Sequence, residues 1–266
     1  MKIGMLTSGG DCQSLNAAMR GVAKTLYNNS NDVEIYGFLD GYKGMITKNY
    51  KLMKEEDFSG ILTEGGTILG TSRTPFKYIN EPDEEGRDKV AGMIKTYKDL
   101  KLDCLVMLGG NGSHKTAALL SQKGLNVVTL PKTIDNDLCI TDHTPGYGSA
   151  AKYVASTLLE IGHDTSIYPI NSVTIVEIMG RDAGWLTGAS VLARNKYNHA
   201  PHLIYLPEVA FDEAQFIEDV REAIKKYNNV VIAVSEGIKN AEGKYISATS
   251  AVEDTFGPSQ LSGTGK

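Results

Sequence analysis

Asp135 and Asp137 stand two residues apart in the string Pro131-Lys132-Thr133-Ile134-Asp135-Asn136-Asp137. A carboxylate can take a proton from a hydroxyl, and an adjacent ammonium can neutralise a phosphoryl group in transit. Taken alone, an Asp-Asn-Asp string is better read as an Asx-rich turn, and its co-location with further strand-end loops is what favours chemistry. Two glycine clusters join it as candidates. Gly9 and Gly10 sit in Thr7-Ser8-Gly9-Gly10-Asp11, while Gly109, Gly110 and Gly112 surround Asn111 ahead of Ser113. Glycines let backbone N–H groups approach an anion, and a helix start adds unpaired donors and a favourable dipole. For the first cluster a plain strand-to-helix turn, with Asp11 or Ser14 as N-cap, is the alternative. The second is not a Walker A loop, since no Gly-Lys-Ser/Thr follows, and its glycine spacing is not that of the dinucleotide fingerprint. Asn111 offers an oxygen to a metal ion, and Ser113 either bonds a phosphate or caps a helix.

Each of these strings follows a short β-rich apolar run. Runs at residues 3–6, 33–38, 104–108, 127–130, 173–178, 203–206 and 230–234 have the composition of buried parallel strands. Leu15, Ala18, Met19, Val22, Ala23 and Leu26 keep the spacing of one helix face, as do Phe216, Ile217, Val220, Ala223 and Ile224, and another helix is expected to begin near His114. The alternation predicts an α/β architecture: two doubly wound, mainly parallel-sheet lobes. Ligands of such sheets sit at the carboxyl ends of strands, so the three loops are expected on one rim of one sheet. The turn-rich stretch Thr141-Asp142-His143-Thr144-Pro145-Gly146 marks the expected boundary, with domains at residues 1–142 and 143–266.

The 266 residues carry a net charge of −5, and no run approaches the roughly 18 apolar residues of a membrane span. A mildly acidic chain has no basic field for nucleic acid or an anionic membrane. Cys12, Cys104 and Cys139 are odd in number and form no CxxC pair, so neither a disulfide framework nor a zinc site is expected. The expected location is the cytoplasm.

In order and spacing, Thr7-Ser8-Gly9-Gly10-Asp11, Leu69-Gly70-Thr71-Ser72-Arg73, Gly109 to Ser113, the Thr133 to Asp137 string, Glu177-Ile178-Met179-Gly180-Arg181 and Ser235-Glu236-Gly237 resemble the 6-phosphofructokinases. That resemblance implies transfer of the ATP γ-phosphoryl group to the 1-hydroxyl of fructose 6-phosphate, with the active site in the cleft between the lobes. It implies a base at Asp135, with Asp137, Thr133 and Lys132 beside it. Arg73 resembles the arginine on the transferring phosphate. Gly9, Gly110, Asn111, Gly112 and Ser113 resemble the donor cradle, and Tyr42 of Gly41-Tyr42-Lys43-Gly44 a nucleotide contact. Met179, Gly180, Arg181 and Glu236 resemble sugar-phosphate contacts. Mg²⁺, with Asn111 as its ligand, and a homotetramer are implied in the same way.

The departures are specific. Asn111 stands where the family usually has Asp, and Ser172 where many members place an arginine that reaches a neighbouring subunit. Gln13-Ser14 replaces a common Pro-Gly. The chain stops at Lys266, ahead of the family's Gln-Arg-Gly-Gly segment, which points to a truncated sequence. On donor choice, Gly112 leaves room for a nucleotide that a carboxylate there would exclude, whereas Lys132 resembles pyrophosphate users; ATP is the expected donor. An NAD or lipid kinase would explain Gly109 to Ser113 but not Thr133 to Asp137. A non-catalytic homologue would explain Asn111 and Ser172.

Overall fold

A computed structural model describes residues 1–10, 12–72, 74–247 and 263–264. Two compact units, Met1–Thr133 and Ile134–Lys266, divide the chain. In the first, β1 (Lys2–Thr7), β2 (Glu34–Phe38), β3 (Tyr50–Met53), β4 (Cys104–Gly109) and β5 (Val127–Pro131) form a sheet in the order β3-β2-β1-β4-β5. All pairings are parallel except β2 with β3. Helices α1 (Leu15–Asn29), α2 (Tyr42–Thr47), α3 (Lys89–Asp99) and α4 (Asn111–Gln122) connect the strands. Leu6, Phe38, Met45, Met93, Leu105, Met107 and Leu120 fill the core.

β3 lies outside the expected strands. Tyr50-Lys51-Leu52-Met53 contains no apolar run, because an antiparallel edge strand needs only one buried face, and Leu52 is exposed. Helix α4 begins at Asn111, not near His114, with Gly110 as N-cap, so Gly112 and Ser113 belong to its first turn.

In the second unit, β6 (Ser172–Ile178), β7 (Leu203–Tyr205) and β8 (Asn229–Ser235) make a parallel sheet in the order β6-β8-β7, with helices α5 (Tyr147–Ser166), α6 (Trp185–Ala189) and α7 (Glu213–Tyr227). The central β8 is buried along its whole length, whereas β6 has one partner strand and alternates half-buried with exposed residues. Helix α7 starts on an Asp212 carboxylate that accepts the Gln215 N–H at 2.9 Å, and it ends with Lys225 and Lys226 in its last turn, as the helix dipole favours.

The units part at Thr133, ahead of the expected 142. Ile134 packs against Ile178 and Leu186 of the second core. Buried Asn136, at φ +56°, accepts the Thr144 N–H at 2.8 Å and donates to the Asp142 carbonyl at 3.1 Å. Those bonds close the loop from Asn136 to Thr144 on itself.

Candidate active site

The strand order of the first sheet reverses between β1 and β4, and the crevice outside such a switch point is where open α/β sheets bind ligands. Both glycine strings sit there. The Ser8 N–H donates to the Leu108 carbonyl at 2.8 Å, which ties the loop after β1 to the end of β4. Gly9, at φ +91°, donates to the Ser72 carbonyl, and its own carbonyl accepts from the Thr71 hydroxyl at 2.8 Å. A side chain on Gly109 would collide with Ser113, so only glycine lets the start of α4 close on the strand. Gly112 differs: a Cβ there would meet nothing within 4 Å. No side chain caps α4; the Ser113 and His114 N–H groups donate to the Gly110 carbonyl, and the Asn111 and Gly112 N–H groups ahead of them face the helix start as donors for an anion.

The third string begins on this rim. The Lys132 N–H donates to the Gly109 carbonyl at 3.1 Å, and Lys132 Nζ donates to the Gly10 carbonyl, placing an ammonium beside the first loop. Thr133 is half-buried at the end of this unit. Arg73 and Asp11 lie outside the described residues.

Tyr42 is 1% exposed and part of the core of the first unit. Its hydroxyl has no hydrogen-bond partner of good geometry, although Ser113, Thr116 and Ser8 are its polar neighbours, and burial pushes its phenol pKa up.

In the second unit, parallel pairing in register brings Ile178 opposite Ser235, so the loops after β6 and β8 leave the sheet side by side. Asp135, Asp137, Arg181, Asp182, Ala183 and Glu236 line a cavity of about 360 Å³. Glu236 is held by its own N–H, which donates to the Ile178 carbonyl at 2.9 Å, and its Oε1 accepts the Gly180 N–H at 3.2 Å. Gly180, at φ +130°, is required by close approach, for a Cβ would stand 2.5 Å from the Ala183 carbonyl oxygen. Buried Ser235 secures the same turn by donating to the Gly180 carbonyl at 2.7 Å.

Four of the expected residues therefore share one cavity: Asp135, Asp137, Arg181 and Glu236. Thr133 and Met179 do not line it, and Met179 is 58% exposed. Gly180 contributes backbone. Sequence reasoning missed Asp182, which directly follows Arg181, and Glu208, whose Oε1 accepts the Gly184 N–H at 2.6 Å and steadies the same loop. Partners this distant in sequence leave no local signature.

Magnesium is the metal that the resemblance implies. Among the described residues no three His, Cys, Asp or Glu side chains gather as a metal-holding group, and Asn111 brings one neutral oxygen at an exposed helix start. Asn111 is thus no metal centre by itself. Mg²⁺ binds largely through water and substrate phosphates, with one or two protein carboxylates, and the residues present do not fit a resident ion.

Glycine loops at a switch point, and acids with an arginine at the strand ends of a second parallel sheet, place the molecule among α/β proteins that present phosphate-binding loops at strand ends. More narrowly, the chain belongs to the phosphofructokinase family, whose model matches residues 2–261. An ATP-dependent 6-phosphofructokinase of Spirochaeta thermophila is 44% identical over 248 residues, covering 92% of this chain and 66% of that protein. The ATP-dependent 6-phosphofructokinase 3 of Bacteroides thetaiotaomicron is 38% identical, over 90% of this chain and 68% of its own length. Among solved structures, the pyrophosphate-dependent phosphofructokinase of Nitrosospira multiformis superposes with a TM-score of 0.78 at 29% identity, over 91% of this chain and 62% of that one. The chain thus spans about two thirds or less of the length of these proteins.

Proposed function

We propose that this chain performs 6-phosphofructokinase chemistry, moving the ATP γ-phosphoryl group to the 1-hydroxyl of fructose 6-phosphate in glycolysis. The observation that carries the reading is the cavity in which Asp135, Asp137, Arg181 and Glu236 meet. Asp135 acts as the base that accepts the 1-hydroxyl proton, and Asp137 holds the same region of the sugar. Arg181 pairs with the sugar phosphate through a planar, permanently charged fork, and Glu236 accepts sugar hydroxyls. Gly110 and Gly112 offer backbone donors to the donor phosphates, Gly9 lets the first loop approach them and Ser113 lies beside them at the helix start, with Lys132 and Arg73 offsetting charge on the transferring group. The open space at Gly112 favours a nucleotide over pyrophosphate, in keeping with the ATP-dependent relatives.

Lys132 favours a second reading, in which pyrophosphate is the donor. Formation of fructose 1,6-bisphosphate by the purified protein, with ATP and with pyrophosphate in parallel, decides between them. Product with ATP alone supports the first reading and product with pyrophosphate alone the second. Absence of product from folded protein with either donor would leave a non-catalytic homologue. We also propose a cytoplasmic homo-oligomer, a tetramer by family resemblance, which sedimentation checks; no helix among the described residues is long and apolar enough to cross a membrane.

A further inference from the structure

One acid in the cavity has a role that the proposed chemistry does not use. Asp182 lines the same space as Asp135, Asp137 and Glu236. Its Oδ1 accepts two bonds, from Lys239 Nζ at 2.6 Å and from the Tyr245 hydroxyl at 2.9 Å. Both donors sit on the turn that follows β8. Lys239 and Tyr245 form an antiparallel bridge, the Ile246 N–H donates to the Ile238 carbonyl at 3.1 Å, and Gly243 takes φ +76° where the turn reverses. The Lys239 ammonium lies 4.7 Å from the Tyr245 ring centroid, which steadies both donors.

Two donors on one oxygen fix the carboxylate and leave Oδ2 without a partner among the described residues. The Asp182 side chain is 63% exposed, so a solute can reach it. The bond from Lys239 holds its pKa below the ordinary aspartate range, and the group stays an acceptor through neutral and mildly acidic pH. Four carboxylates and one guanidinium make the cavity a place for hydroxyls, with Arg181 as its only cationic lining residue.

We propose that Asp182 is a specificity-determining residue of the acceptor site: its Oδ2 accepts a hydrogen bond from a ring hydroxyl of the sugar, and Lys239 and Tyr245 are positioning residues that aim it. This rests on the phosphofructokinase reading. A site built to bond a hydroxyl discriminates against an analogue that lacks it, and at an acceptor this exposed water replaces part of the lost bond, so the discrimination is modest.

The rival is that Asp182 only pins the turn. The test measures kcat and KM of the purified protein for fructose 6-phosphate and for its 3-deoxy and 4-deoxy analogues, with the wild type, Asp182→Ala, Asp182→Asn, and a Lys239→Met/Tyr245→Phe double variant. Asp182→Ala is expected to lower kcat/KM for fructose 6-phosphate about tenfold, mainly through KM. For one deoxy analogue, wild type and variant should be alike. Asp182→Asn keeps an acceptor for both turn donors, so it separates lost charge from a failed fold. An equal loss from Asp182→Ala on all three sugars overturns the proposal and leaves Asp182 a turn anchor; the double variant should show the same sugar dependence as Asp182→Ala, because it frees the carboxylate that Lys239 and Tyr245 aim. A wild type that cannot use fructose 6-phosphate at all removes the phosphofructokinase reading itself, and this proposal with it.

Discussion

The rim of the first unit and the cavity of the second are built from different material. At the rim, main chain predominates: glycines at φ +91° or in van der Waals contact with Ser113, an uncapped helix start, and carbonyls that hold Lys132 and Thr71. The cavity is lined mostly by acidic side chains and an arginine, with Glu236 and Asp182 held by hydrogen bonds to the loops at strand ends. Backbone donors accept almost any phosphate-bearing group, so discrimination at the rim comes from what fills space. Fixed acids and an arginine discriminate by hydroxyl pattern and charge. One site should therefore respond to added bulk and the other to lost charge.

Asp135→Ser is the sharpest break of that contrast at the cavity. Loss of a positioned base should lower kcat by about 10²–10⁴-fold while KM for the sugar moves only a few-fold, as read in a coupled assay. An unchanged kcat would take Asp135 out of the mechanism. At the rim the corresponding change is an addition, Gly112→Asp. Its Cβ enters open space, so the melting temperature should hold. A carboxylate facing phosphates costs several kcal/mol, and kcat/KM for ATP should fall by about 100-fold or more. A smaller loss with pyrophosphate would make the effect one of room for the nucleotide; equal losses would make it one of charge.

The two regions were also unequally legible in the sequence. The strand-end loops stood out because glycine clusters and Asp-Asn-Asp are local and sit after apolar runs. The carboxylates that share the cavity were found through motif strings, whereas Asp182 depends on Lys239 and Tyr245, more than fifty residues away, and carries no local pattern. Asn111 and Gly112 read as loop because glycine is a poor helix former; in a first turn, whose N–H groups have no helical acceptor, that preference is weak. The compact units part at Thr133, and Asn136 ties its own loop together through Asp142 and Thr144, bonds that composition does not reveal. Tyr42 stands in a motif string and so reads as a contact, yet it lies in a core shared with Leu6 of β1 and Met107 of β4, residues that no local string reveals.

A subtler change at the rim tests whether its tight packing matters as much as its donors. Gly109→Ala forces a methyl against Ser113, and overpacking of this kind costs roughly 1–3 kcal/mol. Stability by thermal unfolding should drop, with a weaker donor KM because the start of α4 is pushed off the strand. Retention of both would show that the end of β4 and the start of α4 can separate enough to admit a methyl without disturbing the cradle.

Tyr42→Phe carries the smallest expected effect and the least intuitive sign. The phenol is buried with no bond of good geometry, and an unsatisfied buried polar group costs about 1–3 kcal/mol. Removing the oxygen while keeping the ring should therefore stabilise the first unit, by up to roughly 1 kcal/mol, or about 2–4 °C in melting temperature for a chain of this size. A nucleotide contact at Tyr42 predicts something else: no gain in stability and a higher KM for ATP. Higher stability with unchanged KM would confirm the ring as core. A fall in stability would mean that the hydroxyl bonds Ser113 or Thr116 in solution and braces the helix start from below, making even the backbone-built rim depend on one side chain beneath it.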